Sequence, residues 1–178
     1  MNSAATNIEP VFVLGIDPGL TRCGYCVLQV SAQQSQAVAL GVFRTDAAAA
    51  VPVRLAELWG DIRQLLNEFS PTAVAIERVL FQTNVRTAMS VAQASGIVMA
   101  EAASRGIEVV EYSPNQVKDA VAGYGGADKE QVQQMVQVLL KLDQPPRPAD
   151  AADAAAVALT HVAFSAGLQQ SLRTGVAR

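Results

Sequence analysis

Residues 11–24 read VFVLGIDPGLTRCG. A continuous run of apolar residues leads into Asp17, and a proline and a glycine follow at once. A run of this kind predicts a fully buried strand, and the Pro-Gly pair predicts that the strand ends there. A buried strand needs no charge at its end, so Asp17 is a candidate functional residue whose partners lie elsewhere in the chain.

The composition bounds the class of protein. The chain has 178 residues, of which 51% are hydrophobic, and its mean hydropathy is +0.23. This length fits one domain, which we expect over residues 11–167, with a disordered lead over 1–10 and a flexible tail over 168–178. The polar start and the lack of an apolar run of about 20 residues predict a soluble, cytoplasmic protein without a membrane segment.

The net charge and the two cysteines further limit the class of protein. The net charge is −3 and the pI about 5.1, which argue against general nucleic-acid affinity but permit a local basic patch. The two cysteines, Cys23 and Cys26, lie in a strand-like run with no second pair to complete a zinc site. We interpret them as small buried hydrophobic residues in a reducing compartment.

The pattern along the chain predicts a mixed sheet. Three strand-like runs come first, over residues 11–17, 24–30 and 36–45, and suggest an antiparallel meander. Helical and strand patterns then alternate, giving the order β-β-β-α-β-α-β-α-α-α. This order predicts a mixed sheet with helices on its faces.

Three more acids stand out beside Asp17. Glu77 ends the short apolar run SPTAVAIE, and Asp150 and Asp153 begin a helix rich in alanine. If the strands that end at Asp17 and Glu77 are parallel neighbours, both carboxylates emerge at the same edge of the sheet. Asp150 and Asp153 share one helix face, with Cβ atoms about 5–6 Å apart, and the small residues after them let the helix lie flat on the sheet.

Each acid also has a purely structural explanation, as a turn former, a solvated strand end or a helix cap. Taken together, however, crowded carboxylates repel one another unless a cation neutralises them. Oxygen ligands suit Mg²⁺ or Mn²⁺ rather than zinc. The one histidine, His161, is interpreted as a satisfied, half-buried residue, which leaves a metal-held water as the natural nucleophile.

Six motifs in order, spanning about residues 13–161, carry a family resemblance. They are GIDPGLTRCGY, AIERVLFQTN, EYSPNQVK, GYGGADKEQV, LLKL and ADAADAAAVALTH. The series resembles the RuvC-type Holliday-junction resolvases. The resemblance implies a ribonuclease-H-like fold of the α/β class, with a five-stranded mixed sheet flanked by helices. It also implies a homodimer that resolves four-way DNA junctions by paired, symmetric nicks.

The resemblance assigns roles to particular residues. Asp17, Glu77, Asp150 and Asp153 become the catalytic acids and the ligands of Mg²⁺, which Mn²⁺ can replace, with two ions per subunit. The third of these positions is Asp or His in the family, and here it is Asp. The implied partners are junction DNA, a second subunit and the branch-migration proteins RuvA and RuvB.

The implied DNA contacts fall in two places. Lys118 and Lys129 are placed near the scissile phosphate, and exposed surface lysines are the alternative reading. A lysine in the first helical turn after a glycine-rich loop also suits a phosphate on physical grounds. The loop after Glu77 resembles a junction-probing loop, in which the family commonly has Phe where Leu80 stands. The stacking residue is therefore either Phe81 or an apolar wedge at Leu80, and further expected DNA contacts are Arg78 and Asn84.

Two other functions compete with the endonuclease. An actin-like ATP-binding module also begins with a strand, an aspartate and a glycine turn, but 178 residues leave no room for its two halves. A catalytically inactive DNA-binding scaffold is the second alternative. The presence of all four acids in spaced motifs argues against it.

Overall fold

A computed structural model describes residues 10–78 and 85–165. The expectations for residues 1–9 and 168–178, and for Leu80, Phe81 and Asn84, concern residues outside these ranges. The element order is the predicted one. The elements are β1 (Val11–Asp17), β2 (Arg22–Val30), β3 (Ser35–Arg44), α1 (Val51–Phe69), β4 (Ala73–Glu77), α2 (Val85–Ser104), β5 (Glu108–Tyr112), α3 (Pro114–Ala122), α4 (Lys129–Leu140) and α5 (Ala149–Phe164).

The strands form one five-stranded mixed sheet in the order β3-β2-β1-β4-β5. The first three strands are the predicted antiparallel meander, whereas β4 is parallel to both β1 and β5. The expected mixed sheet is therefore confirmed. The predicted bounds of β3 differ from the observed ones by one residue at each end, and β2 begins at Arg22, two residues earlier than predicted. Strand β2 therefore starts at the sheet edge where β1 ends.

The sheet separates two cores, because successive side chains of a strand point to opposite faces. On one face, residues such as Val13, Cys26 and Ala75 pack with α3, α4 and α5. On the other, Leu14 and Ile76 belong to the core that contains residues of α1 and α2. Asp17 and Glu77 follow the alternation of the first face, on which α5 lies.

Helix α5 lies almost directly on the sheet backbone, as the alanine-rich sequence predicts. Two glycines make this approach possible. A Cβ on Gly15 would stand 2.7 Å from the Ala158 Cβ, and a Cβ on Gly24 would stand 2.6 Å from the Asp150 carbonyl carbon. Glycine inside a strand is typical of such close backbone approaches. The two glycines therefore fix where the start of α5 sits.

Helix α1 begins with Pro52 in its first turn, and some of its apolar side chains are exposed. Val53 is 52% exposed and Trp59 is 40% exposed. The Trp59 indole donates a hydrogen bond to Glu101 of α2 at 2.6 Å, so this ring joins the two helices at the surface.

Two further expectations can be compared with the structure. Cys23 and Cys26 are free and buried, as predicted, and burial raises the pKa of each thiol to about 12. Within residues 10–78 and 85–165, none of the helices has the length and apolarity to cross a bilayer.

Candidate active site

Two of the four acids are placed by the register of β1 and β4. These strands are parallel neighbours, with Gly15 opposite Ala75 and Ile16 opposite Ile76. Asp17 follows Ile16 in β1, and Glu77 follows Ile76 in β4. Both carboxylates therefore lie at one sheet edge and on one face. The predicted meeting of these two strand ends is thus observed.

The other two acids are placed by α5. Asp150 lies in its first turn, and Asp153 follows one turn later. The Asp150 backbone lies against Gly24, which is the register partner of Asp17. Because Gly24 has no side chain, the start of α5 can lie close to the end of β1 at Asp17.

All four acids are half-buried and interact electrostatically. Burial raises the pKa of Asp17 to about 8, with further contributions from Glu77, Asp153 and Asp150 in that order. Burial and the charge of Asp153 also raise the pKa of Glu77. A site in which carboxylates hold protons this tightly has an excess of negative charge, and a cation would relieve it.

Three basic residues surround the acids. The Lys129 Nζ donates to the Asp153 Oδ2 at 2.7 Å, and this hydrogen bond is the main cause of the raised pKa of Lys129. The charges of Lys129 and Lys118 oppose the rise in the pKa of Glu77 without reversing it. Both lysines thus interact with the acids, and their contact with a phosphate stays a prediction.

The third basic residue, Arg22, was not among the predicted site residues. Its guanidinium binds the Asp150 carboxylate in an ion pair. The predicted strand began only at residue 24, and Arg22 was therefore not considered as a neighbour of Asp17. A signal was present all the same, because an antiparallel partner of β1 must begin at the edge where Asp17 lies.

The donor set fits a hard divalent cation, because it consists of carboxylate oxygens without sulfur or imidazole. Across the described part of the chain, no three His, Cys, Asp or Glu side chains are grouped as a ready-made metal site. Asp150 and Asp153 each have one oxygen bound to a basic side chain, Arg22 or Lys129. Binding of a cation by all four acids would therefore require side-chain adjustment.

The remaining site predictions have different outcomes. Arg78 is exposed just beyond β4, and its backbone amide donates to the Tyr112 carbonyl at 2.8 Å. Its proposed contact with DNA stays a prediction, as do those of Leu80, Phe81 and Asn84, which lie outside the described residues.

His161 is satisfied, as predicted, but it is not half-buried. It is only 2% exposed, and its Nδ1 lies 3.0 Å from the Tyr112 hydroxyl. Burial lowers its pKa, which favours the neutral ring. Its partner is a tyrosine on β5 and not one of the acids, so His161 has a structural position behind the site.

Comparison with known proteins gives a consistent result. The family model described as crossover junction endodeoxyribonuclease RuvC matches residues 13–161. The RuvC protein of Streptomyces avermitilis is 50% identical over 166 residues, covering 93% of this chain and 94% of its own. That of Natranaerobius thermophilus is 44% identical over 151 residues, covering 85% of this chain and 94% of its own.

A solved structure agrees with these relatives. The structure of T. thermophilus RuvC in complex with a Holliday junction substrate has a TM-score of 0.83 and 36% identity, and the match covers 91% of this chain and 97% of that one. The chain therefore belongs to the RuvC family of crossover junction endodeoxyribonucleases.

Proposed function

We propose that this protein is a metal-dependent endonuclease that resolves four-way DNA junctions by paired nicks. The observation that carries the proposal is the convergence of four half-buried acids at one sheet edge, in a chain of the RuvC family. A relative of 36% identity has been solved with a Holliday junction substrate, which supports the same class of substrate here.

In this proposal, Asp17, Glu77, Asp150 and Asp153 hold two Mg²⁺ ions. When bound, such ions activate a water and stabilise the departing oxygen of a phosphodiester. The four acids fix where the ions and the scissile phosphate lie. Their partial burial strengthens these electrostatic interactions, because water screens them less than at an exposed surface.

Lys118 and Lys129 are the proposed phosphate-binding residues. Lys129 begins α4, which Asp128 caps by accepting a hydrogen bond from the Gln131 backbone amide at 2.8 Å. The start of a helix favours negative charge, so a phosphate near Lys129 would meet both the ammonium and the helix dipole. The electrostatic interaction of both lysines with the acids supports this role.

Other contacts of the substrate and partners are proposals on the family resemblance alone. Arg78 and Asn84 would contact the DNA backbone, and Leu80 or Phe81 would enter the junction. A homodimer would place two sites on one junction, so that two strands are cut symmetrically. RuvA and RuvB would deliver the junction.

A cleavage assay on a synthetic four-way junction tests the proposal. We expect cleavage with Mg²⁺ and none with EDTA. Asp17→Asn, Glu77→Gln, Asp150→Asn and Asp153→Asn should each reduce the rate by about 10³-fold or more, which corresponds to about 4 kcal/mol.

The matched control is Glu68→Gln on α1, which removes one negative charge from an exposed helix on the other side of the sheet. Its cleavage rate should equal that of the wild type. Cleavage that persists in EDTA would refute the metal mechanism, and binding of junctions without any cleavage would favour the inactive scaffold.

A further inference from the structure

The direction of strand β2 places Arg22 at the edge of the site. This strand is antiparallel to β1, so its first residue stands where β1 ends in Asp17. Two residues further, Gly24 lies against the Asp150 backbone. The strand that carries Arg22 therefore also seats the helix turn that carries Asp150, and their ion pair joins two fixed elements.

The ion pair is accessible rather than buried. The Arg22 side chain is 41% exposed and that of Asp150 is 27% exposed. Exposed ion pairs contribute little to stability, typically about 0–1 kcal/mol. Opening this ion pair therefore requires little free energy, so Asp150 can exchange Arg22 for another partner.

Arg22 contributes one positive charge to the site. It neutralises one of four crowded carboxylates, and Lys129 does the same for Asp153. Among the described side chains of residues 10–78 and 88–165, these are the two ion pairs that involve the four acids.

We infer that Arg22 is a positioning residue that acts as the internal counter-ion of Asp150 in the metal-free protein and competes with the divalent cation for it. The inference rests on the proposed function, since it takes the four acids as the cation site. Arg22 keeps Asp150 from being repelled by Asp17 before the cation binds, and it opposes the cation electrostatically afterwards.

The inference predicts that removing the guanidinium tightens cation binding. The guanidinium and a divalent cation repel each other when both lie at the Asp150 carboxylate, and side-chain adjustment and solvent absorb part of this repulsion. For Arg22→Gln we expect the dissociation constant of Mn²⁺ to fall by about fivefold or more. Mn²⁺ is the probe because it replaces Mg²⁺ at oxygen sites.

Arg44→Gln is the matched control. Arg44 is the register partner of Arg22 on β3, so the substitution removes the same charge one strand further from Asp150. We expect it to change the dissociation constant by less than about twofold, because distance and solvent screen the charge.

The experiment is a calorimetric titration of Mn²⁺ into each full-length variant without DNA, with thermal unfolding in EDTA as a check of folding. Tighter binding by Arg22→Gln than by Arg44→Gln supports the inference. Weaker or unchanged binding by Arg22→Gln overturns it, and so does an equal effect of both variants, which would reflect net charge alone.

Asp17→Asn separates the two proposals. If this variant binds Mn²⁺ as tightly as the wild type, the acids are not the cation site and the proposed function itself fails. If Asp17→Asn abolishes binding while Arg22→Gln leaves it unchanged, only the role of Arg22 is wrong.

Discussion

The two faces of the sheet are packed with side chains of different size. Under α1 and α2, the core is made of large side chains such as Leu14, Ile62 and Leu66. Under α5, it is made of glycine and alanine at the points of closest approach, including Gly15 and Ala154. Large side chains bury more apolar area, whereas small ones let backbones come together.

The difference shows what the alanine-rich face contributes to function. Four carboxylates from three elements can act on one cation only if those elements approach closely. The small residues bury less apolar area than large ones would, but they allow Asp150 to lie at the end of β1. The α1 face supports the fold, and the α5 face sets the geometry of the site.

The largest effect is expected from a methyl group added on the α5 face. Gly24→Ala would drive a Cβ into the Asp150 backbone, with the carbonyl carbon at 2.6 Å. Because neither backbone can move without the other, we expect a loss of about 3 kcal/mol or more in the free energy of unfolding, and at least about 100-fold slower cleavage. Chemical denaturation and the junction assay measure these two quantities.

Gly60→Ala on α1 is the control for that prediction. A Cβ there meets nothing within 4 Å, and alanine is favoured over glycine inside a helix. We expect stability to rise by about 0.5–1 kcal/mol with cleavage unchanged. Equal losses in the two variants would show that the close approach of α5 is not what matters.

A large-to-small substitution in the core beneath α1 tests the other face of the sheet. Leu58 is 1% exposed in the core beneath α1, so Leu58→Ala should cost about 2–5 kcal/mol of unfolding free energy. At a temperature where the variant is still folded, cleavage per folded molecule should stay within about twofold of the wild type. A loss of cleavage as large as that of Gly24→Ala would mean that both faces set the site.

The smallest expected effect concerns charge on the α5 face. Asp17 has its pKa raised from 3.8 to about 8, chiefly by burial, so the folded protein binds this proton more tightly than the unfolded chain. The resulting stability is present below pH about 4 and is lost as the pH rises from about 4 to 8. In EDTA at pH 8, Asp17→Asn should therefore be more stable than the wild type, by about 1 kcal/mol or more.

Thermal unfolding across that pH range measures this effect. The advantage of Asp17→Asn should shrink as the pH approaches 4, because the wild-type carboxyl is then protonated. Glu68→Gln on α1 should show no such advantage. A constant difference between Asp17→Asn and the wild type at all pH values would contradict the raised pKa.

Local sequence patterns determined much of this protein. Apolar runs and helical spacing predicted the element order, and Ser113 caps α3 through a capping box with Gln116, both of which are neighbours in the chain. The acids at two strand ends and at one helix start were identifiable because their neighbours are apolar. Such signals are readable because they depend on residues adjacent in the chain.

Only the tertiary structure decided which side chains meet across elements. Arg22 reaches Asp150 over a separation of 128 residues, and His161 is fully buried because Tyr112 of another element lies beside it. Trp59 stays at the surface because Glu101 of α2 binds its indole there. These outcomes depend on how closely helices approach the sheet, and that distance is set by packing between residues far apart in sequence.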